Sequence, residues 1–551
     1  MIHGLFKKGL GFGLIILLFG TNVFPIVRGT IGEYSNVKSG DLMFSIEIET
    51  IYVDDDSECP GDGTLEWPYC RIQYGIDNAS NGDTIYVFNG TYYEYIDVSK
   101  TINLIGEDSN TTVINGSDDI YDNVVEIIAD EVNINGFTIQ GGIHDSGIVI
   151  LSNYNRVSGN NINGLLRLIE SFYNMISDNK INSDIYLLNS FYNTISENNT
   201  CDLINLYNSS YNIISDNKCK YNSLYNSNNN TISGNDLSTS QITINRIELD
   251  TSHNNKIFEN IISNSDDDGI YIEDSDFNSI YENKISLNYR GIEMITSNYS
   301  TISENMVNDN KEDGIVLLSC TNNTISWNNI SNNRRGIDIS VLGGYLASLD
   351  NIISGNNITG NRIGIDILLS HNNSIIDNNV SSNNGLAGTI ISSSNNNILS
   401  GNKIFHNRQS GIILQSSTKN IFDKNIICSN FQDGIYIIFS NENKFSNCII
   451  GDNKYRGVSL YNCNYNIIKD CILSQNWIGI ELFGGGYQII QGCSISNNHW
   501  GIMLELSVFN TIKKCTISDN SCGFAGFMVG NLNFFSRNNL STTRSIMPWV
   551  N

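Results

Sequence analysis

Asp338 and Asp366 hold the third place of two matching segments, Gly336-Ile-Asp-Ile339 and Gly364-Ile-Asp-Ile367, and the turns of this region carry Arg290, Arg334, Arg335 and Arg362. Two carboxylates beside guanidinium groups suit hydrolysis of a glycosidic bond, one as acid and the other as base or nucleophile. They equally suit an elimination, with a cation site and a base. The catalytic candidates are therefore Asp338, Asp366, Arg335 and Arg362. The same residues also fit a charge ladder on a solvated sheet face. A second group could hold a sugar without reacting with it: Tyr289, Arg290, Glu293, Phe431, Trp477 and Trp500, with Tyr455 and His499, set rings and charges along one edge where rings can stack on sugar faces.

What must position these residues is a hexad, Asn-x-Ile-x-x-Asn. It is clean in Asn323-Thr-Ile-Ser-Trp-Asn328, and Gly336 opens the Gly-Ile-x-Ile segment eight residues later. Seventeen copies start between Asn155 and Asn510, 18 or 19 residues apart in the first five and mostly 22 to 24 thereafter. So short a period signals a solenoid in which each repeat is one coil. Two or three short strands per coil and no helical run mean that like strands of consecutive coils pair in parallel, about 4.8 Å apart. Alternation turns Ile270 and Ile272 inward and Tyr271 outward, so inner columns of Ile, Val and Leu supply the hydrophobic driving force. In that register Asp338 and Asp366 lie about 5 Å apart. The chain reads as an all-β, single-stranded parallel β-helix of roughly 20 coils, about 100 Å long.

Two columns of Asn run through the repeats. One closes the hexad from Asn160 to Asn425; the other precedes the Gly-Ile strand from Asn288 to Asn520. Asn tolerates the left-handed backbone of a tight turn, and its amide can bond to the equivalent amide one coil away. In the last four copies the first column becomes Cys448, Cys471, Cys493 and Cys515. Neighbours one coil apart are wider than the ~3.8 Å between the Cβ atoms of a relaxed disulfide, so these read as buried free thiols. Cys59 and Cys70 lie outside the repeats in a Gly/Pro-containing loop and are the disulfide candidates of an exported protein.

Residues 1–29 have the pattern of a signal peptide or N-terminal anchor, with Lys7 and Lys8 ahead of an apolar run. A leader follows at 30–49, then a cap and first coils at 50–140, where Ile72, Ile76 and Ala79 suit one short amphipathic helix. The repeats fill 141–530, and 531–551 reads as a tail without the hexad that covers the last coil. No later apolar stretch is long enough to span a bilayer, so the mature chain is expected to lack a transmembrane segment.

The formal net charge is −26 although only 16% of residues are charged. The surface is therefore acidic, amide and hydroxyl rich, and without a basic stripe, which excludes nucleic acid as a partner. Asp54-Asp55-Asp56 and Asp266-Asp267-Asp268 could take Ca2+, a hard cation, or be solvated turns; no other cofactor is expected.

These coils, with the leading Asp83-Thr-Ile and Asn89-Gly-Thr-Tyr-x-Glu94, make residues 50 to 530 resemble right-handed parallel β-helix proteins of the pectate-lyase superfamily. Within it the NosD-like and the carbohydrate-binding and sugar-hydrolase (CASH-type) repeat proteins of microbial surfaces are most similar. The resemblance implies a right-handed helix, secreted or on the cell surface or in a periplasm-like space, that binds a polysaccharide, a surface glycan or another surface partner without turnover. It leaves open a polysaccharide lyase or glycoside hydrolase acting on an acidic polysaccharide, and a NosD-like copper-handling accessory protein. Enzymes of this fold carry denser motifs, such as Asn-Thr-Asp with Gly-His-Gly, and neither occurs here. Copper wants clustered His, Met or Cys, yet His144, His253, His371, His406 and His499 are scattered, and soft ligands gather only in the Cys448 to Cys515 column.

Overall fold

The computed structural model describes residues 49–116, 123–141, 146–343, 346–527 and 532–541. The signal-like stretch, the leader to residue 48, His144 and the end from residue 542 lie outside the described residues.

One plan repeats along the coils. The centre of the hexad forms a first strand, as in Thr324–Ser326; Asn329–Ser331 follows the closing Asn; Arg335–Ser340 carries Gly-Ile-x-Ile. First strands stack into a 22-stranded sheet and the remaining strands into a 39-stranded one. Ile302, Ile325 and Ile353 stand in parallel register on successive coils, as do Ile315, Ile337 and Ile365. All six are fully buried, and the inward columns merge into one apolar core from Ile51 to Phe524. β-Branched side chains suit this pleated, closely stacked wall, which explains the dominance of Ile. The chain is an all-β parallel β-helix, as the period predicts.

Asn328 shows how the turns are held. Its side-chain N–H groups donate to the Ile302 carbonyl at 2.9 Å, the Ser326 carbonyl at 3.1 Å and Asn356 Oδ1 at 3.0 Å, and Asn356 Oδ1 also accepts its backbone N–H. Backbone groups buried in the turn are thereby satisfied. The left-handed conformation expected of this Asn falls instead on the residue before it: Trp327 has φ 58°, Glu304 57° and Asp178 55°. The ladder amide must point inward to reach the next coil, whereas the left-handed residue projects out, Trp327 being 70% exposed. Cys448 takes the Asn place in kind, its Sγ donating to the Ser446 carbonyl at 3.3 Å.

At the N-terminal end the helix Ile72–Asn78 lays Ile72 and Ile76 over the first coil. Glu94 accepts the N–H groups of Ile72 and Gln73 at 2.8 and 3.1 Å, satisfying donors that a helix start leaves free. Cys59 and Cys70 are disulfide-bonded, with Cα atoms 5.2 Å apart.

The tail departs from expectation. Asn533-Phe-Phe-Ser-Arg-Asn538 is a further hexad, and its strands Phe534–Ser536 and Asn539–Ser541 pair with the coil before. Asn533 and Asn538 accept the backbone N–H groups of Asn510 and Cys515 at 2.9 and 3.0 Å, so the ladder returns from Cys to Asn. Phe535 in the Ile place hides this repeat, and the coils run past 530 to 541. No helix among the described residues is long and apolar enough to cross a membrane.

Candidate functional site

The outward residues of the Gly-Ile-x-Ile strands form one column on the second sheet: Tyr271, Glu293, Val316, Asp338 and Asp366 pair in succession. Asp338 and Asp366 are thus direct neighbours although the loop between them lengthens the coil. Beside this runs a second column, the residue just ahead of the Gly that opens each of these strands. It holds Asp268, Arg290, Asp313 and Arg335, then Ile363, Ala387 and Ser410, then Asp433 and Arg456. Sign alternates in each charged stretch, so every guanidinium has an acid on an adjoining coil, and opposite charges at that spacing attract.

Arg335 is the hub of the first stretch. It bonds Asp313 through Nε and Nη2 at 3.0 and 2.9 Å, and its Nη1 reaches Asp338 at 2.9 Å and Asp366 at 3.3 Å. Burial pushes Asp338 up to about 7 against the pull of Arg335, and raises Asp366 as well. Oδ1 of Asp338 has no hydrogen-bond partner and only 3% of the residue is exposed. Asp338 has the proton affinity of an acid–base catalyst, but it lies under its own arginine. Three of the four catalytic candidates come together in this closed cluster, and Arg362 stands apart from it.

Arg290 bonds Glu293 at 2.5 Å and packs its guanidinium 5.3 Å from the Tyr289 ring centre. Asp268 completes the group; burial first, then its hydrogen bond to Glu293, push it up to about 8. The acidic run 266–268 is divided among three cations, Asp266 with Lys311 at 3.0 Å, Asp267 with Arg246 at 2.6 Å and Asp268 with Arg290 at 3.9 Å. That partition gives each carboxylate of the run its own cationic partner. Asp54, Asp55 and Asp56 do bring carboxylate oxygens within 4.8 Å of one another.

The open part of the face lies further on. Arg362 and Arg408 make no ion pair among the described residues and line a cavity of about 330 Å³ with Asn384 and Gln409. Gln409 is shared with a larger cleft of about 540 Å³ lined by Asp433, Tyr436, Arg456, Ser459, Glu481 and Phe483. In it Arg456 contacts Asp433 at 3.5 Å and Glu481 at 2.5 Å, Ser459 Oγ lies 3.0 Å from Glu481, and burial raises Asp433. Arg408, Asp433 and Arg456 escape a reading of motifs; the signal that marks two of them is the alternation of Asp and Arg ahead of successive Gly residues.

Of the ring candidates, Phe431 is exposed and has no ring partner among the described residues. Trp477 stacks on His499 at 4.0 Å, and Trp500 meets the same imidazole edge-on at 5.5 Å. An unsuspected ladder, Tyr154, Tyr173, Tyr192 and Tyr211, stacks face to face at 5.0 to 5.1 Å. The faces of Tyr173 and Tyr192 are spent on their neighbours, which leaves the ring edges along the ladder.

A family model described as right handed beta helix region matches residues 345–464 and 423–545. The chain is a β-helix repeat protein. A second model, described as periplasmic copper-binding protein (NosD), matches residues 220–386 of the same β-helix. No curated protein sequence matches. Similar solved structures include the periplasmic alginate epimerase AlgG, 13% identical over 71% of this chain and 76% of that one with a TM-score of 0.25. Pectate lyase Pel9A is 10% identical over 68% and 76%, with a TM-score of 0.22. The mannuronan C-5 epimerase AlgE6 A-module of Azotobacter vinelandii is 11% identical over 85% and 94%, with a TM-score of 0.18.

Proposed function

We propose that this β-helix works outside the cytoplasm and binds an acidic polysaccharide, without turnover, along the outer face of its second sheet from Arg362 to Glu481. The observation that carries this reading is the continuity of two clefts, one holding the unpaired Arg362 and Arg408, the other Tyr436, Arg456 and Ser459. In a chain of net charge −26, cations without acidic partners are the places where a polyanion is attracted. Arg362 and Arg408 lie two coils apart, about 10 Å, so successive charges of an extended polymer can meet them in turn. The periplasmic description of the NosD model supports an extracytoplasmic setting. Binding of the full chain to a panel of polyuronides and neutral glucans tests the reading. The double variant Arg362→Ala, Arg408→Ala is expected to bind an acidic polymer at least tenfold more weakly; equal affinity of the variant, or no binding by the parent protein, overturns it.

A lyase or hydrolase is the second reading, favoured by Asp433 and Glu481 sharing Arg456 in the larger cleft. Unsaturated or reducing ends released from a polyuronide, and lost in Glu481→Gln, would establish turnover.

Among the described residues the histidines assemble no copper site. His253 and His371 use Nδ1 to accept the backbone N–H groups of Asp276 and Asn395, at 2.9 and 3.0 Å. Among the described residues only Asp54, Asp55 and Asp56 bring three candidate ligands together, and carboxylates suit hard cations rather than copper.

A further inference from the structure

Arg167 lies on the outward face of the strand Leu165–Ile169, at the other end of the second sheet. It is half-buried, and among the described residues it has neither an ion pair nor a side-chain hydrogen bond. A guanidinium so placed in a chain with 57 acidic residues is unusual, since charges removed from water are normally paired. Its surroundings explain the isolation. Arg167 is in register with Tyr186 and Asn205, and the neighbouring row is Ile169, Leu188 and Tyr207. Together with Leu165 these residues line an open groove of about 510 Å³, a volume in the range of small-ligand sites. Asp184, the acid beside this group, is already engaged: it accepts the Tyr186 hydroxyl at 3.2 Å and the Leu203 N–H at 3.1 Å.

We propose that this groove binds a small amphiphilic carboxylate, a single alkyl chain ending in one negative charge. The carboxylate pairs with Arg167, and the chain lies along Ile169, Leu188 and Tyr207. Charge complementarity selects an anion, and one cation selects a single charge. The lining selects the body of the ligand: Leu165, Ile169 and Leu188 offer hydrocarbon, and the two tyrosines offer ring surface, whereas a sugar needs many more hydrogen-bonding groups than Asn205 and two phenols supply. The groove crosses three coils, about 10 Å along the stack, which accommodates a chain of moderate length and not a polymer. This site is separate from the clefts at Arg362 and Glu481 and stands whether or not those bind polysaccharide.

Calorimetric titration of the full-length protein with octanoate, decanoate and dodecanoate, below their micellar concentrations and at physiological ionic strength, tests it. One saturable site is expected, with affinity rising up to about fourfold for each methylene that stays in the groove. Decanol is expected to bind about tenfold more weakly than decanoate, and decyltrimethylammonium not at all. Arg167→Gln should bring decanoate down to the level of decanol. Leu188→Glu, a change at an exposed position, should abolish decanoate binding with the far-ultraviolet circular dichroism and melting temperature unchanged. The proposal is overturned if decanoate and decanol bind equally, if neither variant alters decanoate binding, or if the protein binds only phosphatidylglycerol vesicles and no free carboxylate.

Discussion

Arg335 grips Asp313 of the preceding coil through two parallel hydrogen bonds, Nε to Oδ1 at 3.0 Å and Nη2 to Oδ2 at 2.9 Å. Its remaining nitrogen turns forward to Asp338 and Asp366, so one side chain clasps three coils. Such a clasp is committed to structure, and removing it strands buried charge.

Arg335→Gln is therefore expected to destabilise its region by about 3 kcal/mol, the cost of leaving buried carboxylates without their cation. Amide hydrogen exchange should quicken in Ile315–Leu318, Arg335–Ser340 and Ile363–Leu368 and stay unchanged in distant coils. Arg335→Lys should rescue only part, because an ammonium cannot form the two-point contact with Asp313.

Stability should fall as pH rises through neutrality. Burial pushes Asp338 and Glu248 up to about 7 and Asp268 to about 8, whereas free carboxyls titrate near 4. A proton held more tightly in the folded state stabilises it fully below pH 4, and that contribution is lost as pH passes 7 to 8. Thermal unfolding at pH 5.5 should thus occur at a higher temperature than at pH 8.5. General repulsion in an acidic chain acts in the same direction, so the discriminating measurement is Asp338→Asn, which should narrow the difference. An unchanged difference would mean that Asp338 does not hold its proton.

The hexad made most of the fold legible, because one inward Ile per strand, such as Ile325, is both a visible spacing and a column of the core. The site was less legible. Asp313, Arg335, Ile363 and Ala387 share no chemistry, and only the register of the coils shows that they form one column. Arg362 and Arg335 are close in sequence pattern, yet Arg335 turns into the ion cluster and Arg362 out to the groove. Arg167 was hidden for another reason: its strand, Leu165-Leu-Arg-Leu-Ile169, lacks the Gly-Ile signature that marks outward positions later in the chain.

The Asn ladder should accept cysteine better than alanine. Asn425 donates to the Leu399 carbonyl at 2.8 Å and is followed one coil later by Cys448, whose sulfur makes the corresponding contact with the Phe422 carbonyl at 3.7 Å. Asn425→Ala leaves that buried carbonyl unpaired, at about 1–3 kcal/mol. Asn425→Cys keeps a weak donor in place and should recover at least half of the loss in urea unfolding.

Thiol labelling should report where the β-helix opens. Among the nine described free cysteines only Cys428 is partly exposed. Burial pushes Cys320 up to about 12 and Cys463 to about 11, and a hydrogen bond with Cys471, then burial, raise Cys448. These thiols carry almost no thiolate at pH 8 and should resist a bulky maleimide until the coils separate. Cys515 is different: its bond with the Cys493 thiol draws it down to about 7, and the coil that covers it, Asn533 to Asn538, is the last one described. Opening of that single coil exposes a reactive thiolate, whereas the other column members need several coils to part. Peptide mass spectrometry after timed labelling should therefore show Cys428 first, Cys515 next, and Cys448, Cys471 and Cys493 only with global unfolding. Simultaneous labelling of Cys515 and Cys448 would mean that the coils at this end open as one unit.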